Sequence, residues 1–247
     1  MSALAGIGRR IRRRQPQAAR TETSIPLAKG LKGLWGCVGN GPLIDCYHNR
    51  IPSSFSTTVG LGTSGIGAAN SGSQQITFAY HPDYSLSSGT GITIACLFDL
   101  AALTNYSALI ACQDSTTQNG WELRLGATAT NSIINFLRAS GSGYTAFNSA
   151  GQQFAAPSSN QFLAVMSDYI MTDAPNANVN GALVAFSSSS GSGTGSMTFS
   201  SSSLYLTTRL DSVTVLDGTL YFAAIWNRQL TFNETEAVRL NPWQLFE

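Results

Sequence analysis

The chain has 247 residues, of which 11% are charged and 43% hydrophobic, and the remainder is rich in Ser, Thr, Gly and Asn. That mixture suits many strands joined by polar turns and excludes a coiled coil or a helical bundle; no run of about 18 apolar residues offers a membrane-spanning helix. The net charge of +1 hides an asymmetry, because residues 1–20 hold six arginines and no acid while residues 21–247 hold eight basic and thirteen acidic side chains.

Residues 1–30 read as a basic N-terminal arm, and residues 31–247 as one β-sandwich, a size at which a single core is ample. A secretory signal places its basic residues before a hydrophobic run of about 7–15 residues; here the order is reversed. Arg9 and Arg10 are followed by further arginine, not by the apolar stretch of a twin-arginine signal. The composition fits a transit peptide better, but the segment is read as a retained arm. Leu4, Ile7 and Ile11 recur at helical spacing ahead of Arg12–Arg14. Arg9, Arg10, Arg12, Arg13 and Arg14 are assigned to anchoring a partner. Three readings stay open: an arm docked on an acidic protein neighbour, a solvated tail, and a nucleic-acid contact. The first is preferred over nucleic acid because no aromatic side chains are interleaved for base stacking.

Beyond the arm, alternation is the dominant signal. Ile76/Phe78/Tyr80 comes first, followed by Ile92, Ile94, Cys96 and Phe98 on one face of a strand. Trp121, Leu123 and Leu125 alternate with Glu122 and Arg124, the pattern of a strand half in water. Phe162/Ala164/Met166, Leu183/Ala185, Leu204/Leu206 and Leu220/Phe222/Ala224/Trp226 continue the theme. Stretches such as Ser140–Gly143 and Ser187–Ser196 read as hairpin loops, since strand patterns resume on both sides. Thr231-Phe-Asn-Glu234 is a capping box that opens a short helix ending near Leu240, ahead of Pro242. The expected fold class is all-β: a jelly-roll sandwich of two antiparallel sheets with a short C-terminal helical turn and an extended N-terminal arm.

Chemistry-bearing patterns are scarce. Cys37, Cys46, Cys96 and Cys112 form no CxxC or Cys/His motif; Cys96 and Cys112 read as buried small hydrophobes. Cys37 and Cys46 flank a Gly/Pro loop and could pair under oxidising conditions. His48 and His81 fall in turn-like sequence, and His48 reads as a surface turn residue in preference to a catalytic base. Asp173, Asn176, Asn178 and Asn180 offer oxygens at ligand-like spacing for calcium, with a single carboxylate among them; ordinary turn residues are the preferred reading. No metal and no cofactor are expected. A retaining glycosidase needs two carboxylates about 5 Å apart on one face, hence acids at i and i+2 or i+4 of a strand. Glu122 stands alone, Asp211 and Asp217 bracket a strand, and Glu234 and Glu236 lie in the helical turn. No catalytic residue is assigned and the chain is expected not to be an enzyme. Tyr144, Phe147, Tyr205 and Tyr221 are possible sugar-stacking aromatics, none preferred, so a glycan site is left unassigned.

The segment Leu31–Leu240 resembles the concanavalin A-like lectin/glucanase superfamily in its laminin-G-like branch. Gly33-Leu-Trp35 with Leu43-Ile-Asp45 and Asn49 is similar to that branch's first strand and its following Asp-x-x-x-Asn turn, and Gly120–Leu125 to a central strand. Gly218–Leu230, with Glu234 or Glu236 beyond, looks like the closing strand and helix. The ending Asn241-Pro-Trp-Gln-Leu-Phe246 resembles the tail of such domains in tailed-bacteriophage structural proteins. The closing motif has a packing explanation: Trp226 and Leu230 fill the sandwich and Arg228 pairs with an acid. The resemblance implies a jelly roll and does not by itself imply sugar binding. The expectation is a bacteriophage virion structural protein, a capsid decoration or head-fibre-like component. Its expected partners are other virion proteins or adjacent copies in a homo-oligomer, with no nucleic acid and no membrane. It would be assembled in the host bacterial cytoplasm, and the alternative is a carbohydrate-binding, receptor-binding module of a phage tail.

Overall fold

The computed structural model describes residues 26–36, 43–55, 60–62, 65–68, 76–86, 90–103, 106–113, 120–128, 131–140, 143–168, 174–191, 202–208 and 215–246. Cys37, Asp173, Asp211 and the arm arginines Arg9, Arg10, Arg12, Arg13 and Arg14 lie outside the described residues. The strands, in chain order, are β1 (Leu31–Gly36), β2 (Ser54–Phe55), β3 (Gly60–Gly62), β4 (Gly65–Ala68), β5 (Ile76–Phe78), β6 (Gly91–Leu100), β7 (Tyr106–Gln113) and β8 (Gly120–Thr128). They continue with β9 (Asn131–Ser140), β10 (Gly143–Ser149), β11 (Ser158–Asp168), β12 (Asn176–Val179), β13 (Ala182–Gly191), β14 (Ser203–Leu206) and β15 (Gly218–Trp226), and end in α1 (Phe232–Leu240). Every ladder between these strands is antiparallel, and the expected two-sheet jelly roll with a C-terminal helix is present.

One sheet runs β12-β11-β6-β15, with β4 and β1 sharing the far edge of β15. The other runs β2-β5-β14-β7-β8-β9-β10. β13 joins them: its Ala182–Ala185 half pairs with β12, and its Phe186–Gly191 half with β10. The strand thus turns the corner of the sandwich.

Apolar side chains form two cores. Ile92, Ile94, Cys96 and Phe98 from β6 meet Trp121, Leu123 and Leu125 from β8 between the sheets. Ala95 of β6, Phe162 and Ala164 of β11, and Phe222, Ala224 and Trp226 of β15 face a second core, closed by Leu27, Leu230, Val238 and Leu245. Burial on both faces explains why these strands carry near-continuous apolar runs. A register shift between Leu220 and Phe222 puts Leu220, Ala223 and Ile225 in the first core and Phe222, Ala224 and Trp226 in the second. One extra residue in one strand of a pair re-aims the side chains that follow.

Two strand readings need correction. Leu183 is 62% exposed, and it is Val184 and Phe186 that face the inter-sheet core. The run Leu183-Val184-Ala185-Phe186 is apolar at every position, so period-2 reasoning alone cannot choose its inward set. β8 is also not half in water. Glu122 and Arg124 are buried, the Arg124 guanidinium lies 4.0 Å over the Tyr106 ring, and Gln113 donates to Glu122 Oε2 at 3.4 Å.

The closing motif behaves as its packing explanation requires. Trp226 and Leu230 are buried, and Trp226 Nε1 donates to the Leu27 carbonyl at 2.8 Å. Arg228 grips Glu234 and also donates to the carbonyls of Pro26 and Lys29, tying residues 26–30 to the body. The capping box is complete, with Glu234 N donating to Thr231 Oγ1 and Thr231 N donating to Glu234 Oε2. Among the described residues no helix is long and apolar enough to cross a membrane.

Candidate functional site

A polar cluster forms where β1, the turn after it and the turn before β6 converge. Cys46 N donates to the Leu34 carbonyl, and Asp45 and Arg50 exchange backbone hydrogen bonds at 2.8 and 3.2 Å. These bonds close the 45–50 segment against β1. Asn49 takes the left-handed conformation that the reversal needs, at φ 53°, a region Asn tolerates better than most residues. The second turn, Pro82–Ser85, is capped at its start by His81, whose Nδ1 accepts from Asp83 N at 3.2 Å.

Asp45 organises the cluster. Its carboxylate is fully buried, and Oδ1 accepts from Leu34 N at 3.2 Å and Tyr47 N at 3.0 Å. Oδ2 accepts from the Tyr84 hydroxyl at 2.7 Å and faces His48 Nδ1 at 2.6 Å. A buried carboxylate demands such company, since an isolated buried charge is very costly. The other His48 nitrogen, Nε2, lies 3.0 Å from Asp83 Oδ2, while Lys32 Nζ donates to Asp83 Oδ1 at 2.8 Å. The His48 and His81 rings lie 4.0 Å apart at their centroids. Below them Trp35, Phe78 and Tyr84 pack at 5.6–5.9 Å, and Trp121 Nε1 donates to the Tyr84 carbonyl at 2.9 Å. The cluster therefore stands on the inter-sheet core, not on a free loop.

Electrostatics follow from that geometry. Burial pulls the His48 pKa down, but hydrogen bonds to Asp45 and Asp83 outweigh it and the net direction is up. Burial and the neighbouring His48 push His81 down. For Asp83, burial acts upward and is overcome by the hydrogen bonds with Lys32 and His48, so its carboxyl sits below the usual range. Burial and the adjacent Asp45 carboxylate push the Tyr84 hydroxyl up. With carboxylates on both sides, the His48 imidazole either donates from both nitrogens or presents an Nε2 lone pair to a cation. His48, His81 and Asp83 each offer one ligand atom, all within 4.8 Å of one another.

His48 was read as a surface turn residue, yet its side chain is only 12% exposed. The sequence carried no spacing signal for this site, because 33 positions separate its two histidines. The one local cue was the Asp45–Asn49 turn, which brackets His48. The other candidates turn out structural. Asn178 Nδ2 donates to Thr235 Oγ1 and Glu236 Oε1 at 3.0 and 2.7 Å, and its Oδ1 accepts from Gly181 N. Asn180 Oδ1 accepts from Phe162 N at 2.7 Å, and Asn180-Gly181, both at positive φ, form the tight β12–β13 turn. Glu236 is taken up by Arg239. Phe147 and Tyr205 are buried, and the Tyr221 hydroxyl donates to Asp99 Oδ2; the side chain of Tyr144 lies outside the described residues.

No family model matches the chain, and no curated protein matches it. Solved structures do. Trypanosoma rangeli sialidase matches with a TM-score of 0.58 at 13% identity, over 88% of this chain and 33% of the sialidase. The botulinum neurotoxin serotype D binding domain matches with a TM-score of 0.58 at 12% identity, over 86% of this chain and 51% of that one. The binding domain of Paraclostridial Mosquitocidal Protein 1 gives 0.59 at 13% identity, over 86% and 52%. The chain thus spans a third to a half of the length of these proteins, and the likeness shows a shared β-sandwich fold. It also corrects one expectation. The chain was read as not an enzyme, and the fold neighbours include a sialidase, so that exclusion is withdrawn.

Proposed function

We propose that the chain is a lectin-like binding module of a bacteriophage virion, held on the particle by its basic arm. The observation that carries the binding role is the match of the sandwich to two toxin binding domains over 86% of the chain. The virion assignment rests on the resemblance of the closing motif and Asn241–Phe246 to tailed-phage structural domains. The anchoring role of Arg9, Arg10, Arg12, Arg13 and Arg14 rests on their charge, which suits an acidic surface on a capsid protein or an adjacent copy. In this reading the chain acts as a capsid decoration or head-fibre-like component and is assembled in the host cytoplasm.

A second reading is a carbohydrate-binding, receptor-binding module of a phage tail, to which the likeness to toxin binding domains lends the binding role alone. Screening the full chain on a glycan array separates the two. Selective, saturable binding to one glycan class supports the receptor reading. Binding to no glycan, together with retention on purified particles, supports the decoration reading. Deleting residues 2–20 is expected to abolish incorporation into the particle while leaving the β-sheet spectrum intact. Normal incorporation of the truncated chain would overturn the anchoring role.

A further inference from the structure

We propose that His48, His81 and Asp83 form a binding site for a divalent transition-metal ion of the zinc class. The site goes beyond the binding-module reading and stands independently of it.

The argument begins with the donor set. Two imidazole nitrogens and one carboxylate oxygen, with a fourth position left to water, is a set that zinc accepts, and imidazole selects zinc, copper and nickel over magnesium or calcium. The three ligand atoms already lie within 4.8 Å of one another, and His48 Nε2 is 3.0 Å from Asp83 Oδ2. The edge of a tetrahedron around zinc is about 3.4 Å for bonds of about 2.1 Å. His81, whose side chain is 32% exposed, closes the difference by a ring rotation in which the ion replaces the hydrogen bond that Nδ1 accepts from Asp83 N.

The surroundings favour ligation as well. Asp45 Oδ2 accepts a hydrogen bond from His48 Nδ1 at 2.6 Å, and the carboxylate is itself held by Leu34 N, Tyr47 N and the Tyr84 hydroxyl. This carboxylate–histidine pairing fixes the ring's orientation and aims Nε2 at Asp83 Oδ2, so that an ion between them takes the place of the Nε2 proton, the arrangement that supports a histidine ligand from outside the coordination shell. Lys32 occupies only Oδ1 of Asp83, so Oδ2 stays on the side of the histidines. His81 and Asp83 lie at the rim with side chains 32% and 28% exposed, which gives an ion a way in and leaves one position for water.

The test titrates the full chain, freed of metal by a chelator, with Co²⁺ and then Zn²⁺. One equivalent of Co²⁺ should produce the visible absorption of a four- or five-coordinate site, and Zn²⁺ should displace it. His81→Ala and Asp83→Asn should each weaken Zn²⁺ binding by more than about tenfold, at least the loss typical of an outer-shell partner, with far-UV circular dichroism unchanged. No absorption band and no heat of Zn²⁺ binding would overturn the proposal, and so would binding that both variants leave unchanged. Should a variant fail to fold, imidazole resonances of the unmodified chain decide. It has only two histidines, and Zn²⁺ must shift both; resonances that stay put overturn the site.

Discussion

Arg228 and Glu234 form a two-pronged ion pair, with Nη2 to Oε1 at 2.7 Å and Nη1 to Oε2 at 3.1 Å, and the same glutamate closes the N-terminus of α1 through Thr231. Two side chains thereby join the end of β15, the start of the helix and, through the Pro26 and Lys29 carbonyls, the segment that enters β1. Paired forks of this kind are stronger than single-point contacts.

The pair has a pH signature. The hydrogen bond from Arg228 holds the Glu234 carboxyl below its ordinary 4.5, against burial, which acts upward. A depressed folded pKa contributes stability above the unfolded value and loses it as pH falls through the folded one. Glu234→Gln keeps the cap but removes the charge, and should cost at most about 1 kcal/mol at pH 7, since the pair is partly exposed to screening solvent. Urea denaturation should show that difference shrinking as the pH falls below about 4.5, through the depressed folded pKa. A gap that persists at the acid end would contradict the ion pair.

The meeting of β7 and β8 depends on Gly120. Its φ is +132°, and a Cβ there would stand 1.9 Å from the Cys112 carbonyl oxygen. Gly120→Ala should destabilise the body by about 3 kcal/mol or more, or prevent folding, because strained backbone and a backbone clash add. Gly151, at φ +70° with nothing within 4 Å of a Cβ, should tolerate alanine at about 1 kcal/mol. Thermal melts of the two variants make the comparison, and equal effects would contradict the β7–β8 register.

β13 offers a test of which side chains face inward. Phe186→Ala should cost about 3–4 kcal/mol as a core truncation. Leu183→Ser, at a position 62% exposed, should stay within about 0.5 kcal/mol. The opposite ranking in chemical denaturation would mean that the strand is shifted by one residue.

Asp45 supports the convergence of β1, its following turn and the His48 ring. Asp45→Ala leaves Leu34 N, Tyr47 N, the Tyr84 hydroxyl and His48 Nδ1 without their acceptor, and should destabilise by about 3 kcal/mol. A shift in the tyrosine near-ultraviolet signal should accompany the loss, since Tyr84 is wedged against Trp35. Unchanged stability would show that the carboxylate does not organise the cluster.

What the sequence made legible follows from the range of each interaction. The capping box, the need of Arg228 for a nearby acid and the alternation in β6 are decided within a few residues or by a single strand's period. β13 was misread because four consecutive apolar residues leave the inward set to pairing with β10 and β12. The polar face of β8 was misread because Glu122 and Arg124 are covered by contacts, including Tyr106, that alternation does not encode. Two turns far apart in the chain bring His48 to His81, and only the fold joins them. The Asp45–Asn49 turn was visible as a pattern, but its purpose, four donors converging on one buried carboxylate, was not.

The proposed virion role is tested most directly by mass spectrometry and cryo-electron microscopy of virus particles purified from the source of this sequence. It predicts the full chain at a fixed copy number per particle, with density for the two-sheet body on the particle and contact made by the arginine segment. Absence of the chain from purified particles would contradict it.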